Sequence, residues 1–157
     1  RPLVGIVGSA ASIDTLALHD RNDVLSFDAC RISAADALAR AGITREDIDL
    51  FEYHDSFTIY AALALEATGF AEPGTGWKMA ADGSIARGGR LPTATMGGLK
   101  ARGFPGGATG VYQAVEATLQ LQGRAGPCQV QDPTAALIQS VGGPASTSVS
   151  HVLRTLA

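Results

Sequence analysis

Residues able to do chemistry are concentrated in three short segments of the sequence: 54–57, 97–110 and 140–145. In the first, His54 is the only residue whose ring exchanges a proton near neutral pH. It is either a functional group or a buried ring that bonds Asp55 or a main-chain carbonyl. Segments of this kind follow strands or precede helices in α/β proteins, where ligands usually bind.

The other two segments are rich in glycine and could offer main-chain N–H groups. Gly142 and Gly143 fit a turn whose N–H groups point at a reacting carbonyl, or one that merely joins two strands. The stretch 106–110 could seat an anion or cap the following helix. Lys100 and Arg102 are the nearby cations, and either could be a solvated loop charge instead.

Strand-like and helix-like segments alternate along the chain and would position these residues. Periods of three to four residues, with bounding glycines, predict three helices at 26–41, 57–68 and 111–119. Apolar runs predict five strands at 3–7, 48–53, 90–93, 135–141 and 147–153, and 70–87 has no period and is predicted to be a loop. This order predicts an α/β fold, a βαβαβαββ layered sandwich with a mixed five-stranded sheet.

Composition limits the function classes. The 157 residues are 46% hydrophobic and fit one domain, 1–157, and the net charge of −3 gives no basic face for nucleic acid or an anionic membrane. Apolar runs stop well short of the roughly 20 residues that span a bilayer. Two distant cysteines suit a reducing compartment, so we expect a cytoplasmic protein, and the lone His19 and His151 predict no metal site.

The segment 97–110, GGLKARGFPGGATG, resembles the thiolase signature GGLKARGHPxGATG at nearly every position. HDSFT at 54–58 is similar to the HDAFT or HDCFT loop of thiolases of the sterol-carrier and archaeal type, and SVGG at 140–143 falls where thiolases have a Cys-x-Gly-Gly turn. The segments 14–21 and 123–126 also resemble this branch. The chain is thus identified as similar to the C-terminal half of a thiolase-superfamily protein of the lipid-transfer, sterol-carrier type.

This resemblance implies chemistry on a coenzyme A thioester, with acyl-CoA as substrate and no further cofactor. It places His54 in an oxyanion hole, Phe104 where thiolases have the histidine that activates the cysteine, and Ser56 and Ser140 at the two positions of a second, proton-carrying cysteine. The implied catalytic set is His54, Ser56, Phe104, Ser140, Gly142 and Gly143. The implied substrate-binding set is Lys100, Arg102, Gly106 and Gly107.

In thiolases the nucleophilic cysteine belongs to an N-terminal half, and neither Cys30 nor Cys128 lies in a motif resembling its surroundings. The chain begins at Arg1 with a strand-like run, so we expect it to be cut from something longer. We therefore expect the chain alone to be inactive in thiolysis, and to associate with the N-terminal half or with itself as a homo-oligomer.

Three functions remain open from the sequence. The first is an acyl-CoA acyltransferase with altered catalytic residues, which makes or breaks C–C bonds by Claisen-type chemistry. The second is a non-catalytic subunit that binds acyl-CoA or scaffolds a partner, as in thiolase complexes that include a small OB-fold protein. The third is a thiolase-fold aldolase, in which tyrosines replace the residues at positions 54 and 104; Tyr53 and Tyr60 are only nearby.

Overall fold

Four strands form one mixed sheet in the computed structural model, which describes residues 1–156. They are β1 (Leu3–Ile13), β2 (Leu50–Glu52), β3 (Ala135–Gly142) and β4 (Thr147–Leu156). The order across the sheet is β1-β4-β3-β2; β2 runs parallel to β3, and the other pairs are antiparallel. The predicted α/β class and mixed sheet are confirmed.

Five helices flank the sheet: α1 (Asp28–Ala41), α2 (Thr58–Ala67), α3 (Lys78–Ala81), α4 (Gly98–Ala101) and α5 (Thr109–Leu121). Helices α1 and α2 pack on the face that carries Ala135 and Leu137 of β3. Helix α5 packs on the opposite face, against Ala136 and Ile138. Alternate β3 residues therefore face opposite layers, as the period of a strand requires. None of the helices in residues 1–156 is long and apolar enough to cross a membrane.

The prediction of a fifth strand is wrong. Residues 90–93 make one isolated bridge, between Thr93 and Phe51. Pro92 has no N–H to donate, and the N–H groups of Leu91 and Thr93 donate to carbonyls of the preceding loop. Both donors of this segment are thus used locally, and no ladder extends beyond the edge of β2.

The bounds of several elements also differ from the predictions. Strand β1 continues to Ile13, well past the predicted end at residue 7, because residues 8–13 pair with β4. The predicted loop 70–87 contains α3 and buries Met79 in the core. Helix α1 begins at Asp28 rather than at the predicted residue 26, and Phe27 occupies the N-cap position without a side-chain capping bond.

Helix α5 forms where predicted, but its exposed face is apolar in the first two turns, and its buried face mixes apolar with polar side chains. Val111, Tyr112 and Val115 are exposed. The buried face carries Gln113, Glu116 and Gln120. Buried amides of this kind must be hydrogen-bonded, and Gln113 Nε2 donates to Gln139 O at 2.9 Å. The exposed apolar stripe is therefore free to contact another surface.

Close packing of α1 on β1 depends on Gly8, which is buried. A Cβ at this position would lie 2.0 Å from the carbonyl oxygen of Ala37 in α1. We expect Gly8→Ala to lower the free energy of unfolding by about 1–3 kcal/mol, the usual cost of overpacking. Gly88→Ala is the control, since a Cβ there meets no atom within 4 Å. Urea unfolding of both variants tests this; equal midpoints for the two would contradict it.

Candidate functional site

An open cavity of about 570 Å³ lies where the three chemically capable segments meet. Seven residues that the sequence proposed for the site line it: His54, Ser56, Phe104, Gly106, Gly107, Gly142 and Gly143. Four further residues complete the lining: Phe57, Tyr60, Leu99 and Val141. The fold thus brings most of the proposed residues to one place.

Sheet topology explains why these segments converge. Strands β2 and β3 are parallel neighbours, and Glu52, the last residue of β2, pairs with Ile138 in the middle of β3. The chain leaving β2 carries His54 and Ser56, and the end of β3 carries Gly142. Since carboxyl ends of parallel strands meet at one sheet edge, both segments reach the same cavity.

The carboxylate of Asp55 joins the first loop to the glycine-rich segment. Its Oδ1 accepts a hydrogen bond from the Leu99 N–H at 2.8 Å, and both groups are buried. Gly98 has φ +56°, and a Cβ there would lie 2.5 Å from the Asp55 carboxylate. Only glycine suits both the conformation and the space, so this contact fixes α4 against the loop that carries His54.

His54 is held as a neutral ring at the cavity wall. Its residue is 7% exposed, and Nδ1 has no hydrogen-bond partner in the part of the chain that the structure describes. Burial lowers the pKa of His54 from its ordinary 6.5, and the nearby Asp55 opposes that effect. The ring meets Phe104 edge to face, with centroids 5.6 Å apart. A neutral imidazole can donate one hydrogen bond and accept another.

Comparison with known proteins shows the family to which the chain belongs. Residues 10–155 match the model of the thiolase C-terminal domain-like family. The chain belongs to that family. An acetyl-CoA acetyltransferase of Methanothermobacter thermautotrophicus is 42% identical over 149 residues, which are 95% of the chain and 39% of that protein. Human sterol carrier protein 2 is 35% identical over 119 residues, 76% of the chain and 22% of that protein.

The thiolase C-terminal domain described here spans about 40% of the length of its archaeal relatives. Two solved structures share its fold. An Ltp2-ChsH2(DUF35) aldolase has a TM-score of 0.89 at 24% identity, over 98% of this chain and 40% of that one. A monomeric SCP2-thiolase like protein type 1 from Mycobacterium smegmatis has a TM-score of 0.71 at 23% identity, over 98% of this chain and 29% of that one.

Three other residues proposed for the thiolase-like site lie outside the cavity lining. Lys100 is exposed on α4. Arg102 Nε lies 2.5 Å from Glu116 Oε1, so its charge is already paired. The Ser140 side chain faces the first turn of α5, close to Gly110. The assignment of these three residues to the site stays a prediction from the resemblance to thiolases.

Neither cysteine of the chain lines the cavity. Cys30 is buried on α1, and desolvation raises the pKa of its thiol to about 11. Cys128 is half-buried at the end of a short 3-10 turn. A thiol with so high a pKa carries almost no thiolate at neutral pH, which makes Cys30 a poor nucleophile.

Sequence reasoning missed Tyr60, which lines the cavity from α2. Its ring packs edgewise on Phe27 at 4.9 Å and on Phe57 at 5.1 Å. Its place in the first turn of the predicted helix, directly after the loop that carries His54 and Ser56, was the signal that could have found it. Tyr60 and Ser56 are the two hydroxyl-bearing side chains of the lining, within residues 1–156.

The Asp55 contact predicts a large loss of stability when the carboxylate is removed. Asp55→Ala leaves the Leu99 N–H buried and unpaired, which costs about 1–3 kcal/mol. Asp23→Ala is a matched control, because Asp23 accepts from Leu25 N–H at the same 2.8 Å but in an exposed loop. Unfolding by urea is expected to separate the two variants. Equal losses of unfolding free energy in the two variants would contradict the prediction that the buried contact is worth more than the exposed one.

The depressed pKa of His54 predicts a pH dependence. The unfolded chain binds this proton more readily, so the contribution of His54 to stability is complete above about pH 6.5 and is lost as pH falls through the folded-state pKa. NMR titration of the His54 ring is expected to give a midpoint below 6.5. Phe104→Ala admits water beside the ring and is expected to raise that midpoint; an unchanged midpoint would contradict the role of burial.

Proposed function

We propose that this chain is the C-terminal half of a thiolase-like protein and that its cavity forms one wall of an acyl-CoA site. The observation that carries the proposal is the convergence of a neutral His54 with the glycine turns at 106–107 and 142–143 on one cavity. Membership of the thiolase C-terminal domain-like family supports it. The thioester is the substrate, and the proposal needs no further cofactor.

The lining suits an oxygen that gains negative charge. When a nucleophile attacks a thioester, or an enolate forms beside it, the carbonyl oxygen becomes an oxyanion that needs preorganised donors. We assign this role to the His54 ring and to the main-chain N–H groups of Gly142 and Gly143, which all line the cavity. Burial lowers the pKa of the His54 ring and keeps the ring neutral. Because the ring is already shielded from solvent, it does not have to give up bound water before it donates a hydrogen bond. His54 and the glycines would therefore lower the barrier for acyl transfer or for C–C bond making and breaking.

The same lining lacks the other groups that thiolysis requires. Phe104 can neither accept a proton nor donate a hydrogen bond. The hydroxyls of Ser56 and Ser140 are too weakly acidic to carry a proton as a thiol does near neutral pH. Neither Cys30 nor Cys128 lines the cavity. We therefore propose an acyltransferase with altered catalytic residues, whose nucleophile comes from the N-terminal half, and which is inactive as residues 1–157 alone.

Exposed apolar side chains support a covering partner. Phe104 and Phe57 are 62% and 60% exposed at the cavity, and Val111, Tyr112 and Val115 form the apolar stripe of α5. Adjacent apolar residues are seldom left in water when a partner is available. We propose that the N-terminal half covers this surface, and that the complete protein is a homo-oligomer. The name of the aldolase structure includes a DUF35 component, which fits our proposal of a small partner protein.

A second candidate is aldolase chemistry, favoured by Tyr60. Its hydroxyl-bearing ring lines the cavity, and Phe27 and Phe57 fix its plane. A tyrosine held in this way could carry the proton that aldol cleavage removes from a β-hydroxyl group. Loss of C–C cleavage in Tyr60→Phe, with acyl-CoA affinity unchanged, would favour this candidate over acyl transfer. If the protein binds acyl-CoA but shows neither acyl transfer nor C–C cleavage, the remaining candidate is a non-catalytic subunit.

The test of the main proposal is restoration of the missing groups in the full-length protein. Phe104→His supplies a ring able to activate a cysteine, and Ser56→Cys supplies a second proton carrier. General acid–base assistance is typically worth about 10²–10⁴-fold, so thiolysis of acetoacetyl-CoA should rise measurably in the double variant. Phe57→His is the matched control, because Phe57 is an equally exposed aromatic of the same cavity.

Acyl-CoA affinity measured beside the rate distinguishes the outcomes. A gain in rate with unchanged affinity in Phe104→His, but none in Phe57→His, supports an altered thiolase site. No gain together with weaker binding would overturn that assignment. It would indicate that Phe104 shapes an apolar wall for a different reaction.

A further inference from the structure

Three ionisable side chains, two of them buried and one half-buried, meet beside the cavity segments and take no part in the proposed chemistry. Glu52 ends β2 and is 1% exposed, Glu116 lies on the buried face of α5, and Arg102 follows α4. Arg102 Nε lies 2.5 Å from Glu116 Oε1, and its guanidinium lies over the ring of Tyr112 at 4.9 Å. Glu52 and Glu116 are within hydrogen-bonding reach of each other. The cluster thus joins three separate elements.

The charges of this cluster do not balance if both carboxyls are ionised. Two carboxylates against one guanidinium would leave a net negative charge in the interior, which is strongly unfavourable. Glu52 Oε1 and Glu116 Oε2 are both buried, and neither has a hydrogen-bond partner within residues 1–156. One proton held between the two carboxyls would neutralise the cluster and would satisfy both oxygens together.

The surroundings decide which carboxyl holds the proton. Glu116 faces Arg102 directly, which favours its ionised form, although burial raises its pKa and Asp55 adds to that effect. The Glu52 carboxyl faces the Glu116 carboxyl and also lies near the next residue, Tyr53. Burial raises the pKa of Glu52 well above its ordinary value, Glu116 raises it further, and the more distant Arg102 offsets only part of this. The proton therefore belongs to Glu52.

We propose that Glu52 is a neutral carboxylic acid that donates a hydrogen bond to the Glu116 carboxylate, and that Glu52, Glu116 and Arg102 act together as positioning residues for the cavity wall. Glu52 lies two residues before His54, and Arg102 two residues before Phe104. The chain of contacts from Glu52 through Glu116 to Arg102 therefore ties together the two segments whose rings meet. These contacts do not depend on the proposed function; only the role of the cavity wall in binding acyl-CoA rests on it.

Few contacts fix the chain just before Phe104. Gly103 has φ +105° and Gly106 φ +59°, and a Cβ at either would meet no atom within 4 Å. After Phe104, Thr109 Oγ1 donates to Gly106 O at 2.7 Å, which is a contact within the same segment. Phe104 itself is mostly exposed, with its edge-to-face contact to His54 on one side. Because Gly103 permits backbone rotation, this ring would move away from His54 unless Arg102 were anchored.

Infrared difference spectroscopy tests the protonation state directly in the purified protein at neutral pH. A protonated carboxyl has a C=O stretch that a carboxylate lacks. We expect this band to disappear in Glu52→Gln and to persist in Glu72→Gln, a control in an exposed loop. A wild-type spectrum without the band, or an equal loss of the band in both variants, would overturn the proposal. This measurement needs no destabilised variant.

Amide hydrogen exchange of residues 99–107 tests the positioning role. The amide of Glu52→Gln can still donate to Glu116, so we expect exchange there within about twofold of wild type. Glu52→Ala and Glu116→Ala break the chain of contacts, and we expect exchange about tenfold faster or more, as for loss of one buried hydrogen bond. Similar exchange in Glu52→Gln and Glu52→Ala would overturn the role. If Glu52→Ala does not fold, Glu116→Ala decides.

Neither readout uses acyl-CoA or turnover. Absence of thiolysis in the Phe104→His and Ser56→Cys variants would therefore count against the proposed function and leave this inference standing. Conversely, a missing carboxylic acid band would remove this inference and leave the proposed function standing.

Discussion

The buried hydrogen bond from Leu99 N–H to the Asp55 carboxylate is the contact on which the site depends. It joins the loop after β2 to the glycine-rich segment before α5, two regions more than 40 positions apart in the sequence. Gly98 permits the close approach, since any side chain there would collide with the carboxylate. His54, Phe104 and the glycines face one cavity because these two segments cannot move independently.

Polar groups, rather than apolar packing alone, attach α5 to the sheet and to the neighbouring loops. Gln113 bonds the main chain of β3, and Gln120 bonds Thr95 and Cys128, all inside the protein. Hydrogen-bonded buried amides fix orientation more strictly than apolar contacts, because each bond has a defined direction. The orientation of α5 is thereby fixed while Val111, Tyr112 and Val115 remain exposed.

Much of the fold followed from the sequence, because periodicity and bounding glycines are local signals. The helices at α1, α2 and α5 and the final pair of strands lie close to their predicted positions. The prediction of a fifth strand failed because the N–H groups of Leu91 and Thr93 find their hydrogen-bond acceptors in the preceding loop, which a local pattern does not reveal. Motif resemblance found most of the cavity, but not Tyr60 or the Glu52–Glu116 pair. Long-range packing brings these groups into place, and no short motif records it.

The order β1-β4-β3-β2 places the first strand of the chain beside the last. Leu3 pairs with Leu156, and the ladder continues inward for most of both strands. During synthesis on the ribosome, β1 therefore has no strand partner in this sheet until β4 has emerged. Pairings this distant in sequence make folding slow, because a long loop must close before they form. Until then, the unpaired N–H and C=O groups of β1 are open to chaperones and to strands of other unfolded chains.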